Sequence, residues 1–394
     1  MSLKSAIMPF PARLKTELKL DPVLLAIVIA LLLGGFVILA SASISISDNV
    51  TGNPFFYVQR QLFAALIGLV AAAVCVFIPM QVWQSLGPVM LFAGLALLVV
   101  VLVPGLGYEV NGSTRWVRVG FMNLQVSEPA RLCFLLYLAG YLVRRGKSLR
   151  DEFLGFLRPM LVLAIACALL LRQPDFGAAI VLLATALVMM FVAGARVRDF
   201  ALSFLMTALV MAAVAVTSPY RMKRLTGFLD PWSDPYDSGF QLTQSLIAIG
   251  RGEWFGVGLG ESVQKLFYLP EAHTDFVFAV FAEEFGLLGS LLLIGLFLAL
   301  LWRVFQLGIR AADAERFFEA YLAIGLGTWL GLQAFINVGV NMGMLPTKGL
   351  TLPLISYGRS SLIVMMMCIG LLLRIHHELS VDAKPVNRRR GSKS

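Results

Sequence analysis

The sequence predicts an all-α polytopic membrane protein with ten transmembrane helices and a large extracytoplasmic loop between helices 7 and 8. Of its 394 residues, 59% are hydrophobic and only 14% are charged, whereas a soluble domain is roughly half apolar and about a quarter charged. The apolar residues also form runs that are long enough, or nearly so, to cross a bilayer. The composition therefore excludes a soluble enzyme, a disordered chain and a collagen-like fibre.

The apolar runs divide the chain into three parts. We expect a cytoplasmic N-terminal extension over residues 1–21, a ten-helix membrane domain over 22–375 and a basic cytoplasmic tail over 376–394. The large loop of the membrane domain covers residues 218–273. The predicted spans are 22–46, 57–79, 85–103, 128–143, 159–172, 175–193, 200–217, 274–302, 319–342 and 356–375.

The distribution of basic residues predicts the orientation. The formal net charge is +9, and 20 of the 32 Lys and Arg residues lie in segments that face the cytoplasm if the N-terminus is inside. Because cytoplasmic loops carry an excess of Lys and Arg, both termini are predicted to be cytoplasmic. Bases spread over short connections also argue against a nucleic-acid surface. The basic run 387–390 is interpreted as an anchor near anionic lipid, with a partner-binding tail as the alternative.

The segment LPEAHTDFVF, residues 269–278, opens the eighth apolar run and carries the main candidate residues. Glu271 and Asp275 are four residues apart and so share a helix face. Glu283 lies about two turns deeper on that face, and ionisable groups at membrane depth usually face a cavity or the bundle interior. The carboxylates of this segment are therefore the candidate proton acceptors, and Glu271, His273 and Glu283 are candidate supporting residues around Asp275. The alternative is a capped helix start followed by an internal ion pair.

Residues 239–260 precede this segment and end in a glycine-rich run. The sequence Gly-Val-Gly-Leu-Gly at 256–260 is superficially similar to a phosphate loop, but neither a preceding strand nor a following Lys-Ser/Thr accompanies it. We predict an interfacial or re-entrant segment that turns at its glycines and could approach a lipid-linked substrate closely.

Further charged and polar residues cluster at the predicted outer ends of the helices. Arginine and lysine side chains there could bind phosphate, and prolines and glycines over 345–361 indicate broken helix that lines a cavity. For the two residues of the SEPAR motif, an i,i+3 ion pair in an ordered surface loop is the alternative. The candidate substrate-binding residues are Arg115, Arg118, Glu128, Arg131, Asp175 and Lys348, with Ser356 in a supporting role.

The sequence gives little indication of a metal site. All four cysteines lie inside apolar runs, without CxxC spacing, and His273 is the only histidine outside the end of the last span and the tail. No metal ligands are therefore predicted. A divalent cation, Mg²⁺ or Mn²⁺, could still assist a reaction at the site.

Four stretches together resemble the SEDS family of polytopic bacterial cell-wall polymerases. They are NGSTRW with QVSEPAR, RQPDFG, the run from SGFQLTQSLIAIG through YLPEAHTDF to AEEFG, and TKGLTLPLISYGRSS. The last stretch, the N-terminal extension and the basic tail are most similar to the division branch of the family. Val126, Arg131 and Arg359 depart from the family pattern, which usually has proline, lysine and glycine at these positions.

The resemblance implies a peptidoglycan glycosyltransferase that uses lipid II at the outer face of the bacterial inner membrane, at the division septum. It implies Asp275 as the catalytic aspartate and functional roles for Glu128, Arg131, Asp175 and Lys348. The implied partners are a class B penicillin-binding protein transpeptidase (FtsI-like) and other division membrane proteins (FtsQ-, FtsL- and FtsB-like). A lipid II flippase and a non-enzymatic division scaffold are the alternatives, although motifs concentrated on the outer side argue against a flippase.

Overall fold

A computed structural model describes residues 18–382 except 111–112, 121, 217–226, 236, 238, 267 and 347–348. The elements, in chain order, are α1 (Pro22–Thr51), α2 (Phe56–Phe77), α3 (Met80–Ser85), α4 (Gly87–Val100), β1 (Gly107–Val110), β2 (Ser113–Val119), β3 (Met122–Gln125), α5 (Ser127–Asp151), α6 (Phe153–Arg172), α7 (Phe176–Val192), α8 (Val197–Val216), α9 (Phe240–Arg251), α10 (Val277–Asp313), α11 (Phe317–Asn341) and α12 (Arg359–Asp382).

A helix coincides with each of the ten predicted spans. Within the described residues, α1, α2, α6, α10, α11 and α12 are long and apolar enough to cross a membrane, while α4 and α7 are shorter apolar helices. In the interior of the bundle, α2 packs along α12, and α10 packs along α11 and α1. The mostly helical membrane architecture is thus confirmed, and the count of ten crossings stays a prediction.

The expectation of an all-α fold is wrong between α4 and α5. An antiparallel sheet with the order β1-β2-β3 occupies this connection, in a register that pairs Tyr108 and Gln125 with Trp116 on the central strand. The central strand β2 is the longest of the three, with seven residues, and carries Arg115 and Arg118. These strands are too short to be recognised in the sequence between the long apolar runs on either side.

Several helices extend beyond the apolar runs that predicted them. Helix α5 continues through charged residues to Asp151, with a kink at Arg145, and α6 begins at Phe153. Helix α12 continues to Asp382, so the first residues of the predicted tail 376–394 are helical. Hydropathy marks only the part of a helix that needs an apolar environment, whereas the backbone hydrogen bonds continue into the charged flanks.

The helix ends predicted to face the cytoplasm meet around Asp21. Its carboxylate caps α1 by accepting from the backbone N–H groups of Val23 and Leu24. It also accepts from Arg303 of α10 at 2.6 Å, and His376 of α12 lies 3.5 Å away. Burial alone would raise the pKa of Asp21, but the hydrogen bond and charge of Arg303 lower it overall. A charged carboxylate therefore ties three helices together at this end.

Helix α10 is interrupted at Gly286, and the chain that follows α9 packs against this break. Gly286 has φ 65° and ψ −163°, inside a helix of 37 residues. The N–H of Leu287 donates to the C=O of Glu253 at 2.9 Å, and a Cβ on Gly286 would lie 2.4 Å from the backbone nitrogen of Gly256. Residues 252–258 are therefore fixed to α10, in accord with the predicted segment that turns at glycines.

We predict that Gly286→Ala destabilises the protein. An alanine there adopts a backbone conformation that costs about 1–3 kcal/mol, and its methyl group collides with the docked backbone. The measurement is the midpoint of thermal unfolding in detergent. Gly295→Ala is the control, since Gly295 is exposed on the same helix and its Cβ would meet nothing within 4 Å. Equal midpoints for the two variants would contradict the prediction.

Candidate active site

The backbone of residues 271–276, which leads into α10, is held by two separate parts of the chain. The C=O of His273 accepts from the N–H of Tyr357 at 2.9 Å. The C=O of Asp275 accepts from the side-chain amides of Asn337 and Asn341 on α11, at 2.9 and 3.0 Å. Asp275 is therefore fixed at the start of α10, with its side chain half-buried.

The carboxylate of Asp275 lies against the backbone between α11 and α12. A Cβ added to Gly349 would lie 3.0 Å from Asp275 Oδ2, so a glycine allows this close approach. Asn337 Nδ2 also donates to the C=O of Leu350 at 2.6 Å, which holds the same stretch in place. Lys348, a predicted substrate-binding residue, precedes Gly349 in the chain and lies outside the described residues.

The two predicted supporting residues beside Asp275 have different surroundings. Glu271 is exposed and accepts from Thr274 Oγ1 at 2.7 Å. His273 is buried against the rings of Tyr57 and Tyr357, with centroid distances of 4.6 and 5.7 Å. Burial lowers the pKa of His273, and the opposing effect of the Glu271 carboxylate is smaller. The imidazole is therefore neutral near pH 7 and packs as an aromatic ring.

Glu128 and Arg131 form a buried ion pair with an N···O distance of 2.7 Å. This is the i,i+3 pair weighed in the sequence, but it lies in the bundle interior, where both residues are at most 3% exposed. Arg131 Nη1 donates to Gln333 Oε1 at 3.1 Å, and Gln333 Nε2 donates to the C=O of Thr351 at 3.0 Å. The pair is thereby joined through α11 to the stretch that contacts Asp275.

Arg115 and Asp175 connect the small sheet to the turn between α6 and α7. Arg115 Nη1 lies 4.0 Å from Asp175 Oδ1, and Arg115 Nε donates to the C=O of Gln173 at 3.2 Å. Asp175 is buried and caps α7. Arg118 is exposed, with its guanidinium 4.2 Å from the centroid of the Tyr108 ring. Arg115 is thus partly engaged by the fold, while Arg118 presents its charge outward.

Glu283 and Ser356 have structural partners. The buried Glu283 carboxylate accepts from Arg251 Nη1 at 3.1 Å, from the Ser262 hydroxyl and from two backbone N–H groups of the same segment. It holds the chain after α9, as the internal ion-pair alternative anticipates. Ser356 Oγ accepts from the N–H of Leu352 at 2.8 Å and stabilises the turn before α12.

A row of polar side chains on α11, which we call the α11 stripe, was not predicted from the sequence. Its members are spaced by four residues, are at most 2% exposed and connect Arg131, Leu350 and Asp275. They are Trp329, Gln333, Asn337 and Asn341. Residues four apart share a helix face, and polar groups at membrane depth are costly unless they are satisfied. This spacing was the signal that could have identified them.

The described residues do not form a metal centre. Among them, no group of three or more His, Cys, Asp or Glu side chains is placed to hold a metal ion. The Glu128 carboxylate is paired with Arg131, and that of Glu283 is bound by several donors. These engaged carboxylates, among the described residues, do not fit the open set of oxygen ligands that a divalent cation needs.

The chain matches a family model and many curated proteins over most of its length. Residues 22–381 match the FtsW/RodA/SpoVE model, described as "cell cycle protein". A probable peptidoglycan glycosyltransferase FtsW from Thioalkalivibrio sulfidiphilus (strain HL-EbGR7) is 56% identical over 368 residues, which are 93% of this chain and 92% of that protein. A protein of the same name from Alkalilimnicola ehrlichii (strain ATCC BAA-1101 / DSM 17681 / MLHE-1) is 54% identical over 375 residues, 95% and 94% of the two chains.

Solved structures show the same fold. One, described as "structural coordination of polymerization and crosslinking by a peptidoglycan synthase complex", has a TM-score of 0.76 and 32% identity, covering 92% of this chain and 99% of its own. The rod shape determining protein RodA of Thermus thermophilus has a TM-score of 0.68 and 32% identity, covering 92% and 98%. The chain belongs to the FtsW/RodA/SpoVE family of cell cycle proteins. The resemblance to the SEDS family is confirmed, and the curated relatives reported above carry the name FtsW.

We predict a strong coupling between Glu128 and Arg131 in stability. Glu128→Leu or Arg131→Met alone leaves a buried charge without its partner, which costs about 3–5 kcal/mol. The double variant removes both charges and is expected to lose less stability than either single variant. The measurement is the thermal unfolding midpoint of all four proteins in detergent.

Glu261→Gln is the control for this cycle, because Glu261 is exposed on the loop after α9 and a surface change there stays within about 0.5 kcal/mol. Additive losses in the double variant would show that the two side chains act independently.

Proposed function

We propose that this protein polymerises lipid II into β-1,4-linked glycan strands at the outer face of the cytoplasmic membrane. The observation that carries the proposal is the half-buried carboxylate of Asp275, on a backbone fixed by two other parts of the chain at the start of a membrane helix. The names of the most similar curated relatives, probable peptidoglycan glycosyltransferase, support the same reaction.

Asp275 acts as the general base. Its carboxylate takes the proton from the 4-hydroxyl of the acceptor N-acetylglucosamine, and that oxygen attacks C1 of the donor N-acetylmuramic acid with inversion. The bond from C1 to the pyrophosphate oxygen breaks, and undecaprenyl pyrophosphate leaves with the bonding electron pair. General-base assistance supplies about 10²–10⁴-fold in rate.

Positive charge on the outer side binds the leaving pyrophosphate. Arg118 is exposed on the sheet, and Arg115 retains partial exposure beside Asp175. Lys348 adjoins Gly349, whose backbone contacts the Asp275 carboxylate. These three cations are the candidates for stabilising negative charge as it develops. Arg131 is neutralised by Glu128 and organises the site from within the bundle.

The protein works with a class B penicillin-binding protein during septal wall synthesis. Polymerised strands require cross-linking, and the structural neighbour reported above is described as a complex that coordinates polymerisation and cross-linking. We place it in the inner membrane as a multi-pass protein with both termini in the cytoplasm. The Lys and Arg distribution supports this orientation.

We predict that Asp275→Asn abolishes polymerisation without unfolding the protein. The amide keeps the shape of the side chain and cannot take the proton, so the rate falls by at least about 10²-fold. The measurement is glycan-strand formation from lipid II by the purified protein with its partner transpeptidase. Asp48→Asn is the matched control, since Asp48 is exposed near the outer end of α1.

Three results would oppose this proposal. Near-normal polymerisation by the Asp275→Asn variant would remove Asp275 from the role of base. A protein that makes no strands but exposes inner-leaflet lipid II of liposomes to the outside would be a flippase. Rescue of cell division by Asp275→Ala would instead favour a non-enzymatic scaffold.

We also predict that Gly349→Ala lowers kcat by about 10–100-fold, because a shift of about 1 Å in a reacting group can cost this much. The added methyl group would lie 3.0 Å from Asp275 Oδ2 and displace the carboxylate. Gly34→Ala on α1 is the control, as its Cβ would meet nothing within 4 Å. An unchanged polymerisation rate for Gly349→Ala would show that the carboxylate tolerates this displacement.

A further inference from the structure

The first turn of α10 contains an inserted side chain from α11. If the helix began one residue earlier, the N–H of Ala279 would donate to the C=O of Asp275, four residues before it. Instead, the carboxamide of Asn341 stands between these groups. Its Oδ1 accepts from the N–H of Ala279 at 3.1 Å, and its Nδ2 donates to the C=O of Asp275 at 3.0 Å. The N–H of Ala279 also donates to the C=O of Phe276 at 3.1 Å, so the Asn341 amide is added to a tight first turn of α10.

A second carboxamide, one turn earlier on α11, reaches the same carbonyl. Asn337 Nδ2 donates to the C=O of Asp275 at 2.9 Å and to the C=O of Leu350 at 2.6 Å. A carbonyl oxygen has two lone pairs, so these two amides saturate the acceptor. Asn337 also couples the Asp275 backbone to the stretch whose Gly349 contacts the Asp275 carboxylate.

The two asparagines are themselves fixed. Asn341 is 0% and Asn337 is 2% exposed. Asn341 Nδ2 also donates to the C=O of Asn337 at 2.8 Å, and Ser245 of α9 donates to the C=O of Asn341 at 2.8 Å. A flipped Asn341 amide would point its NH₂ group at the N–H of Ala279 and its oxygen at two carbonyls. The surrounding groups therefore select a single orientation of this amide.

We infer that Asn337 and Asn341 are positioning residues, which hold Asp275 out of α10 so that its carboxylate faces the acceptor sugar. This inference rests on the proposed role of Asp275 as the general base. Without the Asn341 amide, the N–H of Ala279 shifts from the C=O of Phe276 toward the C=O of Asp275, and α10 gains a regular turn. The Asp275 side chain then follows the helical direction, toward the preceding turn. The loss of the amide thus moves the carboxylate while a helical hydrogen bond replaces those it made.

The test compares Asn341→Ala and Asn337→Ala with the wild-type protein in the lipid II polymerisation assay with the partner transpeptidase. We expect kcat to fall about 10–100-fold for each variant, while KM for lipid II changes by less than about threefold, because neither asparagine is proposed to contact substrate. The double variant should lose less than the product of the single losses, since both amides act on one carbonyl.

A second variant covers the case in which the alanine proteins fail to fold. Asn341→Asp keeps the shape of the side chain and the acceptor for Ala279, but its ionised carboxylate has no donor for the C=O of Asp275. The Asn341→Asp variant is expected to show the same fall in kcat. It is expected to form the complex with the partner transpeptidase as the wild-type protein does. Thr185→Val is the control, as Thr185 is buried on α7, which packs against α11, and its hydroxyl has no hydrogen-bond partner among the described residues.

The outcomes separate this inference from the proposed function. If Asp275→Asn is inactive and Asn341→Asp has the wild-type kcat, the positioning role is overturned and the base role stands. If KM rises while kcat is kept, the asparagines belong to substrate binding, and the inference is also wrong. If Asp275→Asn is active, the base role fails first, and the asparagines have no catalytic group to position.

Discussion

The site depends on the satisfaction of buried polar groups by the α11 stripe. Hydrocarbon offers no hydrogen-bond partners, so irregular backbone is tolerated only where protein groups supply them. Gln333 accepts a hydrogen bond from Arg131 of α5, and Asn337 donates to the C=O of Leu350. The side-chain amides of Asn337 and Asn341 both donate to the C=O of Asp275. The broken chain before α12 and the start of α10 can therefore remain non-helical. The part of the bundle around Asp275 is therefore connected through one face of α11.

Much of the fold could be predicted because a membrane helix can be identified from the local run of apolar residues that forms it. Each apolar run coincides with a helix, and the motif around Asp275 lies at the start of α10. The pairing of side chains was harder to predict from the sequence, since partners such as Arg131 and Gln333 are 202 residues apart. The α11 stripe was not predicted because hydropathy is averaged over a window of residues. A single amide side chain changes that average little when its neighbours are leucine and glycine. The sheet was missed because its strands are short.

Asp275 and Glu283 show why spacing alone does not assign a role to a carboxylate. They lie eight residues apart on one predicted helix face, yet donors from Arg251 and the following segment bind the Glu283 carboxylate, while Asp275 stays half-buried. The difference arises from the chain after α9, which docks beside Glu283 through the break at Gly286. The path of this segment depends on backbone dihedral angles at its glycines, which cannot be read directly from the sequence.

The break at Gly286 divides α10 into a short part, 277–285, and a longer part, 287–313. Backbone hydrogen bonds join residues 252–258 to both parts, and the short part starts two residues after Asp275. A continuous path of backbone contacts therefore connects the segment after α9 with the helix turn beside the Asp275 carboxylate.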